Sequence, residues 1–213
     1  MNEKPIIFST LEVRAILEGR KNQTRRVMKP QPTLDANGWM AWKTVRWLPE
    51  LSSLIIGKQH TGYHHLPFKP GDVLWVRETW FYALGTMEYL YRADSDTPLR
   101  DRVAGGVNKQ KWRSPIHMPH AAARIFLRVK DVRVEKLNEI SQEDAKAEGV
   151  YEIRPNWWFF CDPATISAPN CTLAATPKQA FMWLWNFLYR KNIEISWGNS
   201  FVWVYTFERI DAA

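Results

Sequence analysis

The stretch Phe201 to Ile210, which opens Phe-Val-Trp-Val-Tyr-Thr-Phe, constrains the fold more than any other part of the chain. It carries β-branched and aromatic side chains on both faces, so a strand built from it must be covered on both sides. Such a strand belongs in the centre of a sheet. The rest of the chain supplies its candidate neighbours. Pro5-Ile6-Ile7-Phe8 reads as a short buried strand. Phe68-Lys69-Pro70-Gly71-Asp72 is a tight turn into the dense strand pattern Val73 to Trp80, where Trp75 and Arg77 share one face and Leu74, Val76 and Glu78 the other. Glu88 to Arg92 reads as the returning strand. Ala123 to Leu137 places Ile125, Leu127 and Val129 on one face and then shifts at Lys130-Asp131, as a bulged long strand or two strands would.

Three helices are expected. Ser9-Thr10-Leu11-Glu12 has the capping-box pattern, Val13, Ile16 and Leu17 recur at helical spacing, and Gly19 supplies the stop. Ser141-Gln142-Glu143-Asp144 starts a short helix that Gly149 ends. Thr176-Pro177 opens the third, with Ala180, Phe181, Trp183, Leu184, Phe187 and Leu188 as its apolar stripe. The stretches at about 28–67 and 151–176 lack periodicity and read as insertions; the first has a hairpin signal at Asp35-Ala36-Asn37-Gly38. Asp94 to Asn108 reads as a loop, and the prolines of Trp112 to His120 impose an ordered irregular segment or a flap. With no repeat and no linker, residues 1–213 form one α+β domain, a curved or closed antiparallel-type sheet with short helices at its ends.

Chemistry concentrates just past the first helix. Gly19-Arg20-Lys21-Asn22-Gln23-Thr24-Arg25-Arg26 holds four cations and one hydroxyl in eight residues. A solvated basic turn, a phosphate-contacting loop and a catalytic Lys21/Thr24 pair all fit it. Lys and Arg outnumber Asp and Glu by 29 to 22, a net charge of +7 that suits an anionic partner, and the twelve Trp add faces on which bases stack. Most of those Trp belong to the core. No apolar run approaches the roughly 20 residues that span a membrane, and the N-terminus lacks a signal-peptide pattern. Cys161 and Cys171 make neither a disulfide framework nor a zinc set, so a reduced cytoplasmic setting fits. His60, His64 and His65 have no Cys, Asp or Glu at ligand spacing, and no metal or cofactor is expected.

Four blocks in this order resemble the ASCH domain family: Ile16 to Lys21, Gly71 to Arg77, the Leu137-to-Val150 helix, and Val202 to Phe207. The chain is similar to the larger, phage- or prophage-type members, and the resemblance spans it apart from the two insertions. It implies a PUA-like β-barrel with a pocket for a nucleobase or RNA. In one branch, the small amidohydrolases that deacetylate N4-acetylcytidine, a Lys, a Thr three residues later and a downstream Glu carry the chemistry. Lys21, Thr24 and Glu148 match that pattern. Here Asn22-Gln23 intervene, Arg25-Arg26 follow Thr24, and the chain is about twice as long as those enzymes.

On this reading Thr24 supplies the attacking hydroxyl or orients a water, and Glu148 carries the proton to the leaving amine. Lys21 is a base only if burial or Arg20, Arg25 and Arg26 discharge it. Direct pairing with Glu148 would instead make it a charged donor to the oxyanion. Trp75 or Trp80 would stack on the base, while Arg77 and Glu78 read its edge or hold the pocket. The expected partner is a nucleoside or RNA with a modified base, and no membrane. A non-catalytic reader of RNA or modified bases is the alternative, with a ribonuclease behind it.

Overall fold

A computed structural model describes residues 3–34, 40–42, 45–47, 66–94, 111–160, 173–189, 197–198 and 200–211. His60, His64, His65, Cys161, Cys171 and the Asp35-to-Gly38 turn lie outside them. The fold is mixed α+β and mostly sheet. Five strands form the main sheet: β1 (Glu3–Ile7), β2 (Gln23–Val27), β6 (Val73–Arg77), β9 (Phe126–Lys136) and β12 (Phe201–Ile210), in the order β1-β6-β9-β12-β2. β12 pairs antiparallel with both β9 and β2, so the doubly apolar stretch is flanked on both edges. Its alternation divides two cores. Trp203, Tyr205 and Phe207 face a core with Phe8, Val13, Leu74 and Leu127. Val202 and Val204 face the other, against α3 (Pro177–Tyr189) and the stretch around α2 (Gln142–Ala147). The slip at Lys130 is a bulge: Thr206 pairs with Asp131 and Phe207 with Val129.

The edge strands β1 and β2 are not joined by a backbone ladder, so among the described residues the sheet does not close into a barrel. It does curl. Arg26 of β2 donates from Nη2 to the Ile7 carbonyl of β1 at 2.6 Å, and its guanidinium lies 5.0 Å from the Phe8 ring. β1 also departs from the sequence reading: it is an edge strand parallel to β6, with Ile6 buried and Ile7 exposed. Smaller sheets decorate this frame. β3 (Thr33–Leu34), β4 (Met40–Trp42) and β5 (Val45–Trp47) pair antiparallel within the first insertion. β7 (Trp80–Ala83) pairs with β8 (Glu88–Tyr91), and β10 (Tyr151–Arg154) with β11 (Trp157–Phe159). No helix is long and apolar enough to cross a membrane among the described residues.

Two left-handed glycines set up the site. α1 (Thr10–Leu17) starts on the expected capping box, with the Ser9 amide donating to Glu12 Oε2 at 2.8 Å and the Glu12 amide to Ser9 Oγ at 3.4 Å. It ends at Gly19, φ +74°, while α2 ends at Gly149, φ +103°. The two turns dock on each other. Arg20 Nη1 donates to the Gly149 carbonyl at 2.6 Å, and the Asn22 amide to the Ala147 carbonyl at 3.0 Å. Lys21 thus follows one turn, Glu148 precedes the other, and the two residues form an isolated antiparallel bridge.

Candidate active site

Lys21, Thr24 and Glu148 come from three elements and are all buried, at 3, 2 and 2 % exposure. The Lys21 ammonium donates to Glu148 Oε2 at 2.7 Å and to the Glu148 carbonyl at 3.0 Å. Glu12 Oε1, from the capping box, stands 3.7 Å behind it. The other oxygen, Glu148 Oε1, accepts from Arg25 Nη1 at 3.0 Å. One carboxylate is therefore clamped between an ammonium and a guanidinium, with both oxygens occupied. Three charges leave water together here, which is tolerated only because each finds a partner at hydrogen-bond distance.

The clamp rests on a wider ionic layer. Thr24 and Arg26 share β2's inner face with Tyr205 and Trp203, whereas Gln23 and Arg25 turn toward the helices. Arg25 donates to Glu135, to Asp144 Oδ2 at 3.0 Å and to Gln23 Oε1 at 2.8 Å. Burial works against its charge, but Glu148, Glu135 and Asp144 outweigh that and push its pKa up. Arg133 supports Asp144 at 2.7 Å. Burial raises the Asp144 pKa, yet Arg133 and Arg25 overcome this and hold it below the usual carboxylate range. A depressed native pKa contributes stability that is complete above the ordinary Asp range and is lost as pH falls through the native value. Asp144→Asn is thus expected to cost about 1–3 kcal/mol at pH 7. In urea titrations its deficit against the wild type should shrink below about pH 4.

A cavity of about 350 Å³ opens between the two edge strands. β1 and the residues after it contribute Ile7, Phe8 and Ser9; α1 contributes Glu12; β2 contributes Thr24, Arg25 and Arg26. Because β2 is an edge, side chains from both of its faces reach this space. Glu148 and Pro115 complete one side, and α3 roofs it with Phe181, Leu184, Trp185, Leu188 and Tyr189. Burial raises the Tyr189 pKa; Arg26 opposes this, while Glu12 and Glu148 reinforce it. The phenol is therefore a proton donor at neutral pH. Lys21 is not part of the lining. Its ammonium is bonded to Glu148, which is.

The remaining sequence candidates lie elsewhere. Arg20 pins the two helix ends, bonding Glu18 and the Gly149 carbonyl and lying 4.6 Å from the Tyr151 ring. Trp75 packs edge-on against His120, with the Arg77 guanidinium 5.1 Å from its ring; Arg77 donates to the Ile116 and Met118 carbonyls and so anchors the Pro115 segment. Glu78 is buried against Arg124 at 2.8 Å, and burial raises its pKa despite that pairing. Trp80 packs on Met118 and Ala122 and faces a second cavity, about 450 Å³, with Phe81, Tyr82, Leu84, Tyr89 and Arg113.

Sequence reasoning missed two residues of the roof, Trp185 and Tyr189. The stripe assigned to α3 included Phe187 and Leu188, which are exposed, and omitted Trp185, which is buried. The signal was present: Pro177, Phe181 and Trp185 fall at successive i+4 positions. Glu12 was legible as a capping residue but not as a wall of the cavity. No family model matches the chain, and neither the curated proteins nor the solved structures give a match.

Proposed function

We propose that this chain is a nucleobase-pocket protein of the ASCH type on a PUA-like scaffold, and that it acts as an amidohydrolase removing an acyl group from N4-acylated cytidine. The observation that carries this reading is that Thr24 and Glu148 line one concave, largely apolar space, with Lys21 bonded to Glu148. The curled five-stranded sheet, open at a seam spanned by Arg26, supports the scaffold.

Thr24 Oγ attacks the acyl carbon and passes its proton to Glu148. Glu148 returns that proton to the N4 nitrogen as the acyl C–N bond breaks, releasing cytidine and leaving an ester on Thr24 that water hydrolyses. Lys21 spends two N–H bonds on Glu148, so its work is to hold the proton carrier and balance its charge. Arg25 does the same from the other side. The test is release of cytidine and acetate from N4-acetylcytidine by the purified chain, followed by chromatography. Thr24→Val, nearly isosteric and without the hydroxyl, is expected to lower turnover at least about 10³-fold while leaving ligand affinity within a factor of about three. Hydrolysis by Thr24→Val at the wild-type rate would refute the assignment.

A second reading, a non-catalytic reader of RNA or modified bases, is favoured by the aromatic cavity on β7 and β8, where the Arg113 guanidinium lies 5.2 Å from the Trp80 ring. It requires affinity for RNA that falls steeply as salt rises, with no acetate released.

A further inference from the structure

The two cavities share a stretch of wall. Pro115 lines the Thr24/Glu148 cavity, and Arg113, two residues earlier, lines the cavity on β7 and β8. Arg113 sits in an antiparallel bridge to Trp80, and Ser114 after it is extended, with φ −64° and ψ 143°. Two positions along such a stretch put both side chains on one side of the backbone, about 7 Å apart. The spacer is held at both ends. Arg113 and Trp80 exchange backbone bonds of 2.8 and 3.3 Å, and Arg77 donates to the Ile116 and Met118 carbonyls. We propose that the two cavities are consecutive base sites for single-stranded RNA, the first taking the cytidine and the second a base next to it. The substrate class is then a strand and not a free nucleoside, an assignment that rests on the cytidine reading for the occupant of the first site.

The second site offers what a base and its phosphate need. The hairpin pairs Trp80 with Tyr91 and Tyr82 with Tyr89, so these four rings share one face. Tyr82 and Tyr89 lie 5.0 Å apart and are only partly buried. Such rings accept any base on their π-faces. Among the described residues Arg113 is the one charged side chain in the lining, and no carboxylate shares that wall. Arg113 and Lys111 are exposed, and with Arg92 they form no ion pair among the described residues, whereas Arg20, Arg25, Arg124 and Arg133 each hold a carboxylate. The Arg92 guanidinium lies 5.7 Å from the Trp112 ring and that of Arg113 5.2 Å from the Trp80 ring. Guanidinium groups laid on aromatic faces and left without an acid suit a phosphodiester that follows a stacked base. A free nucleoside in the first cavity would leave all three cations unused.

The experiment is calorimetric titration of the full chain with cytidine, with the ribotrinucleotide ApCpA, and with the same trinucleotide carrying abasic riboses in place of its two adenosines. None bears an acyl group, so none is consumed, and only immediate neighbours of the cytidine are present. The wild type is expected to bind ApCpA about 5- to 150-fold more tightly than the abasic form, the factor for one stacked base. The abasic form should in turn bind more tightly than cytidine, by a margin that shrinks as salt rises. Tyr82→Ala should erase the difference between ApCpA and its abasic form. Arg113→Gln should weaken both trinucleotides relative to cytidine and lower the slope of log affinity against log salt by about 0.7. Equal wild-type affinity for ApCpA and its abasic form, a base-dependent gain that survives Tyr82→Ala, an unaltered salt slope in Arg113→Gln, or no binding of ApCpA would each overturn the assignment. Should Tyr82→Ala not fold, judged by circular dichroism, the wild-type comparison and Arg113→Gln decide. Acetate release from N4-acetylcytidine as fast as from the N4-acetylated trinucleotide refutes the paired sites and upholds the amidohydrolase. The expected order of binding, with no acetate released from that trinucleotide, does the reverse.

Discussion

Glu148→Ala is expected to lower folding stability by about 3–5 kcal/mol and to abolish hydrolysis. The stability loss comes from what is left behind. Lys21 and Arg25, both almost wholly buried, converge on the two oxygens of Glu148, and removing the carboxylate strands buried positive charge. For a chain of this size that corresponds to a fall in Tm of roughly 6–20 °C. Glu148→Gln keeps the shape and one acceptor oxygen, so its loss should be smaller, yet its turnover should be as low, because an amide cannot carry the proton. Adding Lys21→Met to Glu148→Ala removes one stranded cation and should recover part of the stability but none of the activity. Thermal scans and acetate release on the four proteins separate the two effects. A Glu148→Ala protein as stable as the wild type would mean that the clamp is not closed in solution.

Gly149→Ala is expected to be nearly as damaging, for a wholly different reason. A Cβ at position 149 would lie 2.9 Å from the Ala15 Cβ and 3.3 Å from the Lys21 Cβ, contacts that neither backbone can relieve by rotating a flexible chain end. The residue also holds φ +103°, where an L side chain is strained by about 1–3 kcal/mol. Overpacking adds about 1–3 kcal/mol more. The expected total of about 2–6 kcal/mol, read by denaturant titration, falls on the joint between α1 and the end of α2. Turnover per folded molecule should fall as well, since the displaced groups are Lys21 and the neighbour of Glu148. Gly19, with φ +74° and open space around it, should lose only the conformational part in Gly19→Ala.

Local signals in the chain were sufficient for most elements. The Ser9/Glu12 box, the Pro177 start and the Lys130 bulge each depend on a few adjacent residues, and each is found in its expected place. The meeting of Lys21 and Glu148 is 127 positions long-range. It was accessible only through the spacing of a resembled pattern, because nothing near either residue reports the other. Trp75, Arg77, Glu78 and Trp80 show the opposite limit. A strand pattern states that they alternate between faces, but not which face meets which cavity, and their partners, His120, Met118 and Arg124, lie some 40 positions away. The parallel edge position of β1 was equally hidden, since Pro5-Ile6-Ile7-Phe8 is apolar whether it is central or peripheral. Trp185 was lost to phase: a helix with apolar residues at most positions has no sharp stripe, so its buried side is set by what it docks against.

Neighbouring strands in the main sheet are stitched by repeated backbone bonds, but the gap beside the cavity is spanned by a guanidinium resting on Phe8. The width of that opening is set by one long side chain and not by a ladder, so the seam is where the main sheet yields at least cost.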